Sequence, residues 1–431
     1  MTLDQIGPDA ARRVFLVLTF TRWFPVGLVV GIMVLYQLDR GQSIPQALTV
    51  SALGGLVALL LELPTSSFSD GFGHRQVYLA AAGVNVMTGC VYLVADSFWM
   101  FALGACLMGV FRALDSGPLE AWYVNTVHLS EAGADVDAAL AHQGTILGGG
   151  IATGALLSGA LVWWHPVTAM SALTLPMLVF TVLNAIHLCA VVALMHASAK
   201  DPGTAPPLSR VLESARQAPA VVLGGLSLVR RNRILRGLVL VEVFWAIAMV
   251  VFEQFQPIRL GELLGDEERA GARMGPIAAV GWAVFALGSA LAGAASRRIG
   301  VATTAIWARA LNSLGAITMG VVAGPAALVA AYLATYTLHG FAGPMHGALL
   351  HREASAHNRA TLLSMNSMMA SAAFAVAAPL LGLLAASSSN QTAMITAGAV
   401  SVFGVLCYLP ALRRERTTTA SRPLADDKDP T

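Results

Sequence analysis

Five ionisable residues, Arg22, Glu62, Arg112, Asp115 and Glu120, stand inside long apolar runs in the first third of the chain. A charge surrounded by hydrocarbon is costly, so such residues pair with one another, face water or take up protons. Arginines and carboxylates at overlapping depths can offset each other. A buried carboxylate near charge balance is also the kind of group whose protonation changes with its surroundings. Glu62 and Asp115 are therefore the proton-coupling candidates, with Arg22 and Arg112 as their partners. Arg112 and Asp115, three residues apart, share a helix face and could simply neutralise each other. A static ionic network is the competing reading for the whole group.

The second half carries fewer such residues. Glu242 and Arg309 each lie about two helical turns into an apolar run. Trp23 and Trp245 fall at comparable depths and could floor a cavity for a lipophilic solute. Trp23, Glu242, Trp245 and Arg309 are thus the substrate-cavity candidates. The stretch Glu253-Gln254-Phe255-Gln256-Pro257 reads as a helix end closed by Pro257 and wetted by solvent, with an outer vestibule as the alternative. His339, His346 and His351 read as interface histidines needing one hydrogen-bond partner each; a metal or proton role is the alternative.

Motifs of other chemistries are missing from the sequence. There is no Gly-x-x-x-x-Gly-Lys-Ser/Thr loop, no His-Glu-x-x-His and no Gly-x-Ser-x-Gly. No enzyme activity, metal or cofactor is expected, and the energy must come from an ion gradient, with protons the leading choice, or from the substrate's own gradient. The four cysteines lie in apolar runs without metal or redox spacing and read as packing residues.

These residues must be positioned by membrane-spanning helices. The chain is 56% hydrophobic and 12% charged over 431 residues, with mean hydropathy +0.68, which excludes an ordinary soluble protein. A net charge of +2 with scattered basic residues gives no reason to expect nucleic acid. At about 20 residues per crossing, twelve spans are expected near 14–36, 46–68, 76–96, 98–123, 139–163, 168–195, 235–256, 274–296, 302–323, 325–350, 361–386 and 391–411. The first is too long for a signal-peptide core and should remain in place. The predicted division is an N-terminal bundle over 1–196, a linker over 197–233, a C-terminal bundle over 234–412 and a disordered tail over 413–431. Lys and Arg concentrate on one set of loops, which predicts a plasma-membrane protein with both termini cytoplasmic. A monomer is expected, in contact with lipid, protons and a small-molecule substrate.

Two loops repeat. Ser66 to Gly73 and Gly293 to Gly300 share their spacing, 227 positions apart, and Ser116-Gly117-Pro118 is matched by Ala342-Gly343-Pro344 at an offset of 226. Near-equal offsets predict an all-α integral membrane fold of twelve transmembrane helices, in two six-helix bundles around a central cavity.

Ser66 to Arg75, with Asp70, Gly73 and Arg75, resembles the loop between helices two and three of the major facilitator superfamily. Ser66 stands for the usual Gly and Gly71 for the usual basic residue. Arg297, Arg298 and Gly300 occupy the repeated loop, and both loops would act in gating. Phe111 to Gly117 is similar to the family's helix-four pattern, in which a buried Arg is associated with proton coupling. Gly150, Gly154 and Gly159 in span five resemble the antiporter packing motif, with Ala155 for its Pro and Ser158 for one Gly. The resemblance implies alternating access and export of small amphipathic or lipophilic compounds by proton antiport. A proton-coupled symporter for a nutrient and a non-transporting receptor on the same scaffold remain open. The substrate itself is not legible.

Overall fold

The computed structural model describes residues 6–65, 72–131, 133–196, 216, 223–355 and 358–420. Asp70, the rest of the loop 66–71, most of the linker and the chain beyond 420 lie outside the described residues. The described elements are all helical. The N-terminal helices are α1 (Pro8–Val30), α2 (Met33–Asp39), α3 (Ile44–Thr65), α4 (His74–Val94), α5 (Phe98–Asp115), α6 (Pro118–Ser130), α7 (Asp137–Trp164) and α8 (Thr174–Leu194). After the helical stretch 223–231 come α9 (Arg233–Val250), a π turn at Val251–Phe255, α10 (Gln256–Leu264), α11 (Glu267–Ile299), α12 (Val301–Val321) and α13 (Pro325–Glu353). The chain continues through α14 (Arg359–Ser387), α15 (Asn390–Val402), a 3-10 turn at Phe403–Tyr408 and α16 (Leu409–Ala420).

Ten stretches among the described residues are long and apolar enough to cross a membrane. The helices α12 and α13 are long enough but less apolar, because they carry Arg309, Asn312, His339 and His346. Packing partners recur between the two groups. In the first, α1 packs on α7, α3 on α5, and α4 on α5 and α8; in the second, α9 packs on α14, α11 on α13, and α12 on α13 and α15. The groups meet along α3 with α14 and α7 with α11.

Several boundaries differ from expectation, each for a local reason. The predicted fourth span breaks at Ser116–Gly117, where Gly117 takes φ 95° and Pro118 opens α6. A residue before proline is pushed out of the helical region, and glycine takes the left-handed turn at little cost. The corresponding Pro344 stays inside an unbroken α13. The predicted seventh span does not end at Pro257. It continues to Leu264 and stops at Gly265, φ 67°. Pro257 has no N–H to give an upstream carbonyl, and the π turn immediately before it absorbs the mismatch. The tail expected from 413 is helical to Ala420. It is held there by Glu415, whose Oε2 accepts from the Ala302 backbone N–H at 2.9 Å and pairs with Arg352 at 3.2 Å.

Candidate functional site

The groups of helices enclose a central cavity of about 510 Å³. Its wall takes Ser51 and Glu62 from α3, Arg112 from α5, Trp245 and Met249 from α9, Glu253 and Gln254 from the π turn, and Ser371 and Phe374 from α14. Glu253, expected at a solvated helix end, is instead a mid-span residue facing this chamber. The π turn re-aims one residue of an otherwise continuous helix. Ser51 Oγ donates to Gln254 Oε1 at 3.3 Å, joining α3 to the π turn across the two groups. A second cavity of about 410 Å³ shares Ser51, Gly55 and Arg112 with the first and runs among the N-terminal helices, past Trp23, Met33, Met108 and Phe180. A charged chamber therefore adjoins an apolar recess.

Of the four proton-coupling candidates, the structure pairs two and sends two to the cavity. Arg22 Nη2 lies 2.9 Å from Asp115 Oδ2, and its Nε donates to the same oxygen at 3.0 Å. The Arg22 guanidinium carbon lies over the rings of Trp23 and Phe111, 4.6 and 4.3 Å from their centroids. This contact ties α1 to the end of α5 and is buried, with side-chain exposures of 6% and 15%. Charge is thus compensated locally, and cation–π contact with the two rings adds to it. Arg112, for which mutual neutralisation with Asp115 was the competing reading, is exposed and lines the chamber with Glu62. Glu120 accepts a hydrogen bond from Gln143 Nε2 at 2.7 Å, tying α6 to α7.

Among the substrate-cavity candidates, Trp245 lines the chamber and Trp23 the recess. Glu242 and Arg309 do not line the central cavity. They are buried within the C-terminal helices, at 4% and 7% exposure, where Glu242 Oε1 lies 3.7 Å from Arg309 Nη2 and 3.0 Å from His346 Nε2. Carboxylate and guanidinium compensate each other in the interior instead of meeting a solute. Glu253 was the cavity-lining residue most easily misread from sequence; its signal was a carboxylate within an apolar run, masked by the proline four residues on. Asn366 and Tyr408, which hold His346, left no signal at all.

The glycines of span five serve two different contacts. Gly154 faces α1, where any Cβ would collide with the Phe24 carbonyl oxygen, and Gly150 packs beside Phe24 more loosely, at 3.4 Å. Gly159 faces the other group: a Cβ there would lie 2.7 Å from the Ala272 oxygen and 3.1 Å from Gly275 Cα. Close backbone approach of this kind closes the interface. At the same end, Glu268 Oε1 accepts the Ala172 N–H at 2.9 Å, and a Cβ on Gly382 would sit 3.0 Å from Pro45 Cα. These cross-group contacts all lie toward the end remote from the chain termini.

At the opposite end, Gly73 and Gly300 open α4 and α12. Arg75 donates to the Met195 and Val192 carbonyls, closing the C-terminus of α8, where a cation meets the negative end of the helix dipole. Arg297 and Arg298 are exposed in the last turn of α11.

The family profile described as Major Facilitator Superfamily matches residues 15–345 and 275–428. No curated protein sequence matches significantly. Among solved structures, a nucleoside transporter, NupG, is similar with TM-score 0.74 at 13% identity, covering 94% of this chain and 99% of that one. A POT family transporter in complex with a thioalcohol-conjugated peptide gives 0.69 at 13% identity, covering 94% and 96%. At such identities the structural likeness speaks for the fold alone, whereas the profile spans nearly the whole chain. The chain belongs to the major facilitator superfamily of membrane transporters.

Proposed function

We propose that this protein is a proton-coupled exporter of small amphipathic compounds, working by alternating access between two six-helix bundles of a twelve-span plasma-membrane protein. The observation that carries this reading is the central cavity. It is walled by both groups of helices and brings two carboxylates, Glu62 and Glu253, together with Arg112, Trp245 and Phe374. Carboxylates at a chamber wall exchange protons with the side that is open and can be traded against a solute. The aromatic rings and adjoining apolar recess suit the non-polar part of an amphipath. The close contacts at the end remote from the termini fit a state open toward the termini, which the distribution of Lys and Arg assigns to the cytoplasm. Asp115, tied to Arg22, holds helices together in this scheme, leaving Glu62 and Glu253 as the cavity's proton carriers. The Gly-rich fifth span, like that of antiporters in the family, favours export.

A growth-inhibition panel, comparing cells with and without the protein, identifies a transported compound. Purified protein in vesicles under an imposed pH gradient then tests the mechanism. Expected is movement of that compound against the proton flow, lost in Glu62→Gln and Glu253→Gln while each variant remains folded. Full retention in both overturns the assignment of the carriers. Movement with the protons establishes uptake by symport, a reading favoured by the polar side chains of the chamber. Binding without accumulation indicates a receptor.

A further inference from the structure

The C-terminal helices hold a group of ionisable side chains that the cavity does not use. His346, 4% exposed, is contacted at both ring nitrogens. Its Nε2 lies 3.0 Å from Glu242 Oε1 and 3.0 Å from Asn366 Oδ1, and its Nδ1 lies 2.9 Å from the Tyr408 hydroxyl. Arg309 completes the group at 3.7 Å from Glu242, with its Nε and Nη1 unpartnered among the described residues. The ionisable side chains facing one another are Glu242 from α9, Arg309 from α12, His339 and His346 from α13, and Cys407 and Tyr408 from the 3-10 turn; α14 contributes the neutral Asn366.

A histidine that only fills a helix interface needs one partner. This one has partners that suit both of its charge states. In the neutral ring, Nε2–H donates toward Glu242 and Asn366, and Nδ1 accepts from the Tyr408 O–H. When Nδ1 gains a proton it becomes a donor, and the Tyr408 hydroxyl turns to accept, since a phenol can do either. No heavy atom has to move. Glu242, already paired with Arg309, then serves both cations, and its hydrogen bond to the ring becomes charge-assisted.

We propose that His346 is a proton-holding site distinct from the cavity, charged in one state of the transport cycle and neutral in the other, with Glu242, shared with Arg309, as its carboxylate partner. This rests on the proton-coupled reading above. Only a proton is exchanged, onto and off Nδ1; no other bond forms or breaks. The site spans α9 and α13, so its charge changes the attraction between them. In the N-terminal helices, Arg22 and Asp115 make a fixed ionic tie between α1 and α5. Trp245 connects the site to the chamber: it lines the cavity, carries the Arg309 guanidinium at 5.0 Å and stacks with His339 at 5.5 Å.

The test uses the full chain in lipid nanodiscs with its ten histidines labelled with nitrogen-15 in the ring, where the nitrogen shifts separate neutral from charged imidazole. One signal, absent in His346→Asn, is expected to pass from neutral to charged on acidification between about pH 8 and 5. Glu242→Gln and Tyr408→Phe should each move that midpoint by about one pH unit or more toward acid, a tenfold loss of proton affinity. Should His346→Asn fail to fold, the signal displaced in both of the other variants provides the assignment. A His346 ring that stays neutral throughout, or a midpoint unmoved by Glu242→Gln, overturns the proposal. A neutral His346 combined with pH-driven transport that Glu62→Gln and Glu253→Gln abolish would sink this inference alone. Absence of any pH-driven transport would sink the reading beneath it.

Discussion

Gly73 and Gly300, 227 positions apart, open equivalent helices with nearly the same backbone: φ 91°, ψ 144° at the first and φ 88°, ψ 156° at the second. That region is open to glycine and essentially closed to side-chain-bearing residues. Alanine at either position is expected to destabilise the protein by about 1–3 kcal/mol. Gly300→Ala should be the worse of the two, because its Cβ would also strike the Glu415 carboxylate. Thermal unfolding in detergent checks both; a pair of neutral substitutions would mean that the helix starts relax freely.

The buried pair of Arg22 and Asp115 gives a second expectation. Asp115→Ala leaves a guanidinium without its counter-ion and should cost about 3–5 kcal/mol, whereas the double change Arg22→Met with Asp115→Leu should recover much of that loss. A double-mutant cycle of Arg22→Met, Asp115→Leu and the two together, read on unfolding midpoints, measures the coupling. A double variant as unstable as Asp115→Ala alone would show that the pair does more than cancel its own charges.

Along α7, neighbouring glycines should respond in opposite directions. Gly154→Ala pushes a methyl into the Phe24 carbonyl and is expected to cost about 1–3 kcal/mol through overpacking. At Gly149 nothing lies within 4 Å of an added Cβ, and Gly149→Ala should stabilise by about 0.5–1 kcal/mol through helix propensity. Comparison of their unfolding temperatures in the same lipid reads the difference directly.

At the closed end, Gly275→Leu drives a side chain against the Ala155 carbonyl of the facing helix. The wedge should bias the protein toward the state open at that end. A Ser51→Cys reporter in a background lacking the native cysteines is then expected to react faster with a membrane-impermeant thiol reagent added on the side remote from the termini. Equal rates with and without the wedge would show that this contact does not govern access.

Much of this architecture was legible from spacing. Long apolar runs fix helices in a medium that offers no partner for free backbone groups, and the matched offsets of the two loops reappear as matched glycine conformations. Boundaries were less legible wherever proline intervened. Pro118 breaks its helix and Pro344 does not; Pro257 looked like an end and sits within a continuous span. A proline removes one donor and restricts its neighbour, but whether the chain then breaks, bulges or carries on depends on what packs around it.

The sequence by itself determined that the chain crosses a membrane many times, repeats its own pattern and carries charges that must be compensated there. Only the tertiary structure decided which charge meets which. Depth along a helix follows from counting residues, so Arg22, Glu62, Arg112 and Asp115 could all be placed at overlapping levels. Which way each side chain points depends on helix rotation and on the π turn at Val251–Phe255. These turned Arg22 to Asp115, buried Glu242 beside His346, and set Arg112, Glu62 and Glu253 around one chamber.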